Sequence, residues 1–184
     1  NPDPPVITTF IIEKNNFSAK LKTYQMDSGA SLYRRSLYTF IRRTSPPPAM
    51  QILDAPNRSV CIVKRVVTNT PLQALVLMND TQFVEAARCL AEGVQRQADN
   101  DLEQRLTQIF RLLTGHRPTT DEMNLLKHCH HRNRERFQQD TDAANALLQV
   151  GESPLDVTLS PAETAALAVV ANLIMNSDGF YMKR

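Results

Sequence analysis

Residues 65–93 read RVVTNTPLQALVLMNDTQFVEAARCLAEG, and this stretch decides the fold class. Thr70 suits the N-cap of a helix, Pro71 its first turn, and Gln73 the third position of a capping box. A polar pair then interrupts the apolar run, and its second member, Asp80, suits the N-cap of another helix. The stretch therefore predicts two consecutive helices, the second of them amphipathic.

The same kind of punctuation continues downstream. Asp101 suits an N-cap, and Gly115 suits the left-handed residue that ends the helix which follows. Thr119 and Glu122 have the spacing of a second capping box. They predict a polar helix over roughly residues 120–138.

The C-terminal third predicts two more helices. One lies near residues 141–150 and stops at Gly151. Ser160, Pro161 and Glu163 have the pattern of a third capping box. The helix after them, AETAALAVVANLIMN, is apolar on nearly all sides, so we expect it to be the central, buried helix of the domain.

The N-terminal part of the chain reads differently. β-Branched and aromatic residues at 6–12 favour a short strand or an ordered arm, so we treat residues 1–31 as an N-terminal arm and residues 32–184 as one helical domain. Residues 32–44 have apolar side chains at helical spacing, and we favour a helix there although the same residue types suit a strand. Residues 45–60 hold four prolines and predict a long irregular loop. The predicted class is mainly α, an irregular helical domain with a proline-containing loop.

The composition limits the function classes. A chain of 184 residues with 42% hydrophobic and 22% charged residues has material for one core. A net charge of +2 and the absence of Trp argue against a nucleic acid partner. The longest apolar run, residues 165–175, is too short to span a membrane. The chain starts at Asn1 without a leader, and we expect it to be a piece of a longer protein.

The cysteines give no cofactor motif. Cys61, Cys89 and Cys129 are an odd number, and no CxxC or CxxCH pair occurs, which argues against a zinc ribbon and against covalent haem in this chain. We therefore predict no cofactor here. Cys89 lies among apolar helix positions and is expected to be a core thiol. A bridge between Cys61 and Cys129 is left open for an exported protein.

The sharpest metal candidate is the run HCHH. On a helix, His128 and His131 would share one face and could bind zinc, copper or nickel. The alternative is a solvated polar helix, which we favour because no second ligand cluster accompanies the pair. We predict that the chain binds no metal tightly.

Basic residues are dense in the first third of the chain: Arg34, Arg35, Arg42, Arg43, Arg58, Lys64 and Arg65. Guanidinium groups bind carboxylates and phosphates, which gives a candidate anion-binding or partner-binding set of Arg34, Arg35, Asp54, Arg58 and Arg65. The structural alternative, which we favour, is that these arginines hold the 45–70 loop by pairing with carboxylates, Asp54 first, or with backbone carbonyls.

Four segments in register carry a family resemblance. YRRSLYTFIRRTSPPPAM, DAPNRSVCIVKRVVTNTPLQALVLMNDTQFVEAARCLAE, FRLLTGHRPTTDEM and AVVANLIMNSDGF follow one another in that order. Over residues 32–184 the chain resembles the C-terminal domain of unknown function of large secreted planctomycete-type proteins, which carry a planctomycete-type cytochrome c module upstream. The resemblance implies an exported helical module whose partners are other domains of the same polypeptide, a haem c module among them. It implies no catalytic residues.

Two functions follow as hypotheses. The first is a non-catalytic accessory or interaction module of an exported multidomain protein. The alternative is a hydrolase-like or polysaccharide-active domain that uses Asp54 or Asp80 with the arginine cluster. A carboxylate and two arginines that converge on a pocket would favour the enzyme, whereas arginines saturated by internal partners would favour the module.

Overall fold

The computed structural model describes residues 24, 26–41, 45–56, 61–64, 68–97 and 101–181. The chain divides into two compact units, Asn1–Asn69 (unit 1) and Thr70–Arg184 (unit 2), and each is described by itself. The described residues are mainly helical, which confirms the predicted fold class. The strand or arm predicted within residues 1–31 falls largely outside the described residues, and the predicted domain division after residue 31 stays a prediction.

Unit 1 contains little regular structure in its described part. Two 3-10 turns, Gly29–Ser31 and Ser36–Tyr38, precede one short helix, α1 (Pro48–Ile52). The loop predicted over residues 45–60 is therefore interrupted by a helical turn. Its proline at the first helical position explains why it starts there, because that position needs no backbone N–H donor.

The helix favoured for residues 32–44 was wrong over the part that the structure describes, residues 32–41. Only the Ser36–Tyr38 turn is helical there, and it is of the 3-10 type. Tyr33, Leu37 and Phe40, three members of the predicted apolar stripe, are exposed. A short helix is stable only when its apolar face is buried, and this stripe has no such burial.

Unit 2 is a bundle of seven helices in its described residues. None of them combines the length and the hydropathy that a bilayer span needs. The helices are α2 (Pro71–Asn79), α3 (Thr81–Gln97), α4 (Leu102–Thr114), α5 (Thr120–Gln139), α6 (Thr141–Leu148), α7 (Pro161–Met175) and α8 (Asp178–Tyr181).

Local side-chain chemistry fixes where most of these helices begin. Thr70 Oγ1 accepts from the backbone N–H of Gln73 at 3.3 Å, and Gln73 Oε1 accepts from the N–H of Thr70 at 3.0 Å. Thr119 and Glu122 close the second capping box in the same way. Both boxes confirm the prediction, as does the helix end at Gly115, where φ is 84°.

The third predicted capping box was wrong. The Ser160 side chain makes no capping hydrogen bond, although α7 begins at Pro161 as predicted. The Glu163 carboxylate, which would have closed the box, binds instead to basic side chains of α4 and α5. Charge-assisted contacts with several cations outweigh one hydrogen bond to a backbone N–H.

Helix α7 is the centre of unit 2. It packs against α2, α3, α4, α5, α6 and α8. Its small residues Ala165, Ala166 and Ala171, together with Val170, are fully buried and let the neighbouring helices approach closely. This confirms the prediction of a buried central helix, with the exception of Leu173, which is 43% exposed.

Candidate functional site

The Glu163 carboxylate on α7 contacts three basic side chains from two other helices. Glu163 Oε1 lies 3.1 Å from His130 Nε2 on α5 and 3.5 Å from Arg105 Nη1 on α4. Glu163 Oε2 lies 3.2 Å from Arg134 Nε, one turn further along α5. We call these four residues the Glu163 cluster, and they join α4, α5 and α7 by charge.

Three members of the Glu163 cluster are largely withdrawn from solvent, whereas the Arg134 side chain is 48% exposed. The His130 side chain is 1% exposed and that of Glu163 15%. Burial opposes ionisation of Glu163, but the hydrogen bond and charge of His130 and the charges of Arg134 and Arg105 outweigh it and lower the pKa of the carboxyl. A histidine beside a carboxylate is a common arrangement for a general base, but this imidazole is enclosed where α5 meets α7. This pair therefore acts as a cross-link between helices.

A second buried group of charges lies on α3. Glu85, Arg88 and Glu92 are spaced so that they share one face of the helix, and all three are buried. Arg88 Nη1 donates to Glu92 Oε1 at 2.8 Å, and Arg88 Nη2 lies 3.9 Å from Glu85 Oε1. We call these three residues the α3 charge cluster. Its carboxylates balance a guanidinium that is 1% exposed.

The α3 charge cluster holds the loop between α6 and α7. Arg88 Nη2 donates to the carbonyl of Ser153 at 2.9 Å, and the N–H of Ser153 donates to Glu85 Oε1 at 2.6 Å. At Gly151, where φ is 99°, a Cβ atom would overlap the Glu85 carboxylate. Glycine is therefore required by both the backbone conformation and the close approach of Glu85.

Arg96, an exposed residue on α3, links the α3 charge cluster to the same loop at a second position. Arg96 Nε donates to Asp156 Oδ2 at 2.7 Å, and Arg96 Nη2 lies 3.7 Å from Glu92 Oε2. Hydrogen bonds from Thr158 and from Arg96 lower the pKa of Asp156 to about 2. The loop is thus tied to α3 at two successive points along its length.

A shallow cleft of about 440 Å³ lies between the start of α4 and the start of α5. Among its described lining residues, the carboxylate is Glu103, which pairs with Lys127. Arg117 and Asn124 also contribute to the lining, but no aromatic side chain does. The cleft does not bring together the carboxylate and two arginines that an enzyme of the predicted kind would need.

Asp54 and Arg35, two of the predicted site residues of unit 1, have local partners. Asp54, at φ 57°, accepts hydrogen bonds at Oδ2 from the N–H and the Oγ1 of Thr68, at 2.8 and 2.7 Å. Arg34 and Arg35 are exposed, and the Arg35 guanidinium lies 5.8 Å from the centre of the Tyr38 ring.

The other residues predicted to act in a site are Arg58, Arg65 and Asp80. Arg58 and Arg65 lie outside the described residues, so the predicted pairing of Arg65 stays a prediction. Asp80, the other candidate catalytic acid, accepts from the N–H of Gln82 at 2.9 Å and so caps α3 as predicted.

The structure also describes the three cysteines and the HCHH run. Cys89 is partly buried, and the three cysteines are free thiols. Within the described residues, no three His, Cys, Asp or Glu side chains are grouped as metal ligands. Burial raises the pKa of the Cys129 thiol. His128 and His131 are exposed, whereas His130 between them is buried.

Neither the Glu163 cluster nor the α3 charge cluster was predicted from the sequence, although the residue spacing of each contains a relevant pattern. Glu85, Arg88 and Glu92 recur at i, i+3 and i+7, which predicts one shared helix face beside the apolar stripe of α3. His130 falls seven residues before Phe137 and four after Leu126, in register with the buried residues of α5. This register was not predicted, because a solvated polar helix was favoured for the HCHH run.

Comparison with known proteins matches the chain to a family. The family model described as PSD1, protein of unknown function (DUF1553), matches residues 8–130. Neither the curated proteins nor the solved structures gave a match to the chain. The family match covers most of unit 1 and the part of unit 2 that ends at His130.

Proposed function

We propose that this chain, which belongs to the DUF1553 family of proteins of unknown function, is a non-catalytic accessory and interaction module of an exported multidomain protein. In this proposal its helices form a rigid body that binds other domains of the same polypeptide, a haem c module among them. The chain itself carries no cofactor in this proposal, and haem belongs to the partner module.

The pairing of the buried charges carries the proposal. Arg88 is matched by the carboxylates of its own helix and by loop carbonyls, and Glu163 by three basic side chains. A catalytic site keeps charged groups available to a substrate, in a concave and accessible position. The buried charges described in unit 2 instead stabilise contacts between its own helices and loops.

The alternative, a hydrolase-like or polysaccharide-active domain, would use Asp54 or Asp80. Both carboxylates accept hydrogen bonds from backbone N–H groups, which is what such residues do in turns and helix caps. No specific contact favours the alternative over the interaction module, so the alternative is kept only as an outcome of the test.

The similarity to secreted planctomycete-type proteins supports the partner and the location. This resemblance, read from the sequence over residues 32–184, implies that the haem-binding motif belongs to a separate domain. An exported location and a haem c module as neighbour follow from it as parts of this proposal.

The test is to produce this chain and the remainder of its natural polypeptide as separate proteins and to titrate one with the other in a calorimeter. We expect a dissociation constant of about 10 μM or tighter, because linked domains need only modest affinity. The same chain is incubated with polysaccharides and chromogenic esters. Hydrolysis that is lost in Asp54→Asn or Asp80→Asn, without any association, would establish the alternative.

A further inference from the structure

The basic residues of unit 1 are concentrated in a stretch without carboxylates. Residues 28–53 contain four arginines and no Lys, Asp or Glu. They contribute +4 to a chain whose net charge is +2, so the rest of the chain carries −2. Within that stretch the structure describes Arg34 and Arg35, and both are exposed. Their positive charge has no carboxylate nearby along the chain.

Large apolar side chains next to this pair of arginines in the sequence are exposed to solvent. Leu32 is 7% exposed and anchors the backbone. Large side chains later in the segment are much more exposed: Leu37 is 73%, Tyr38 62% and Phe40 78% exposed. Single exposed apolar residues are common on protein surfaces, whereas several within eight residues mark a site of interaction.

Local contacts restrain the middle of this segment. The N–H of Tyr38 donates to the carbonyl of Arg35 at 2.8 Å and closes the 3-10 turn. The Arg35 guanidinium lies 5.8 Å from the centre of the Tyr38 ring, within reach of a cation–π contact. A side chain that is already restrained loses less conformational entropy when a partner binds.

We infer that residues 33–40, here called the arginine–tyrosine segment, bind an acidic protein surface, with Arg34 and Arg35 on carboxylates and the exposed rings on apolar side chains between them. This inference rests on the proposed function, because it names the chemistry of the partner. Arg, Tyr and Phe are enriched at the energetic centres of protein interfaces, and Lys, Asp and Glu are depleted. The planar guanidinium matches a carboxylate with two parallel hydrogen bonds.

Two other classes of partner fit these observations less well. Proteins that lie on a lipid surface generally use an amphipathic helix, and the arginine–tyrosine segment forms a 3-10 turn instead. A nucleic acid partner generally requires a strongly basic domain face, and the net charge of this chain is only +2. A protein with surface carboxylates is therefore the partner that the charge and the composition favour.

The test measures binding of the full chain to a fluorescein-labelled random copolymer of Glu and Tyr by fluorescence anisotropy. The double variant Arg34→Glu/Arg35→Glu should bind about tenfold more weakly or worse, since it removes two charge-assisted donors. The variant Arg34→Lys/Arg35→Lys should bind with intermediate affinity, because it keeps the charge and loses the planar fork. Far-ultraviolet circular dichroism verifies that each variant is folded.

The matched control is Lys64→Glu/Arg132→Glu, which makes the same change of charge at two exposed positions elsewhere. Its affinity should stay within about twofold of the parent chain. An equal loss in the control would overturn the inference, because net charge alone would then explain the binding. Tighter binding to phosphatidylglycerol vesicles or to oligothymidylate than to the copolymer would overturn the choice of partner.

A second titration separates this inference from the proposed function. The charge-reversed variant and the parent chain are each titrated with the remainder of the polypeptide. Equal binding of both would overturn the inference and leave the proposed function standing. If neither associates with the remainder while the copolymer still distinguishes them, the proposed function fails and the preference for acidic proteins stands.

Discussion

Replacing Arg88 by methionine tests whether the α3 charge cluster holds unit 2 together. The substitution keeps most of the side-chain volume and removes the guanidinium, which is 1% exposed. Glu92 would lose its partner at 2.8 Å and keep only the exposed Arg96 at 3.7 Å. The Ser153 carbonyl would lose its hydrogen bond from Arg88 as well.

The expected cost follows from these contacts. Removing one member of a buried ion pair destabilises a protein by about 3–5 kcal/mol, because the remaining charge stays buried without compensation. The orphaned Ser153 carbonyl belongs to the same network, so its cost of about 1–3 kcal/mol is not simply added. We therefore expect Arg88→Met to lower the free energy of unfolding by about 3–5 kcal/mol and the melting temperature by on the order of 10 °C or more.

Urea denaturation followed by circular dichroism measures this cost, and Arg96→Met is the matched control on the same helix. Arg96 also pairs with Glu92, but its side chain is 55% exposed, so its loss should cost less than about 1 kcal/mol. The triple variant Glu85→Gln/Arg88→Met/Glu92→Gln should recover part of the stability by removing the stranded charges. The reasoning is refuted if Arg88→Met costs no more than Arg96→Met.

Three further predictions concern single side chains. Thr70→Ala should cost about 1 kcal/mol in unfolding free energy through loss of its capping hydrogen bond, and Ser160→Ala, whose hydroxyl makes no such bond, less than about 0.5 kcal/mol; equal costs in urea denaturation would contradict the capping argument. The pKa of Glu163 is lowered from 4.5 in the folded protein, so the unfolded chain takes up the proton first as pH falls. The stability that ionised Glu163 contributes is therefore present above about pH 4.5 and is lost as the pH falls towards the folded pKa. Urea midpoints measured between neutral and acid pH should decline less in Glu163→Gln than in the parent. An equal decline in both proteins would show that Glu163 does not cause the acid destabilisation. Val170→Asp should cost about 3 kcal/mol or more by burying an unpaired charge, whereas Leu173→Asp on the exposed side of α7 should melt within a few degrees of the parent; similar melting of the two variants would show that α7 is not central.

Features that depend on neighbours along the chain could be predicted from the sequence. The Thr70 and Thr119 capping boxes and the left-handed Gly115 involve residues no more than four positions apart, and all three are as expected. The burial of α7 was equally accessible, because a helix that is apolar on nearly all sides must be enclosed by others. These features fixed the fold class without any knowledge of the tertiary contacts.

Features that depend on distant residues could not be predicted in the same way. Ser160 and Glu163 have the spacing of a capping box, but His130 and the two arginines of α4 and α5 compete for the Glu163 carboxylate. The apolar stripe of residues 32–41 has helical spacing and remains exposed, and spacing alone does not tell whether a partner helix exists.

The candidate site was anticipated only in part. Arginines were expected to hold the 45–70 loop by pairing with Asp54 or with loop carbonyls, and this stays a prediction; the hydrogen bonds from Thr68 to Asp54 join two points of that loop. The arginine expected to pair with Asp54, Arg65, lies outside the described residues. The buried charges of unit 2 were not predicted, because charged side chains are usually solvated and the i, i+3, i+7 spacing of Glu85, Arg88 and Glu92 alone does not tell that their helix face is buried.

The position of α7 after α2, α3, α4, α5 and α6 in chain order has a consequence for biosynthesis. A ribosome that adds about 5–20 residues per second releases α3 and α5 several seconds before residues 161–175 emerge. During that interval the helices synthesised earlier lack the helix against which they all pack. Unit 2 must therefore complete its folding only after α7 has been synthesised, and nascent chains that stop before Pro161 should be clients of chaperones or proteases rather than stable intermediates.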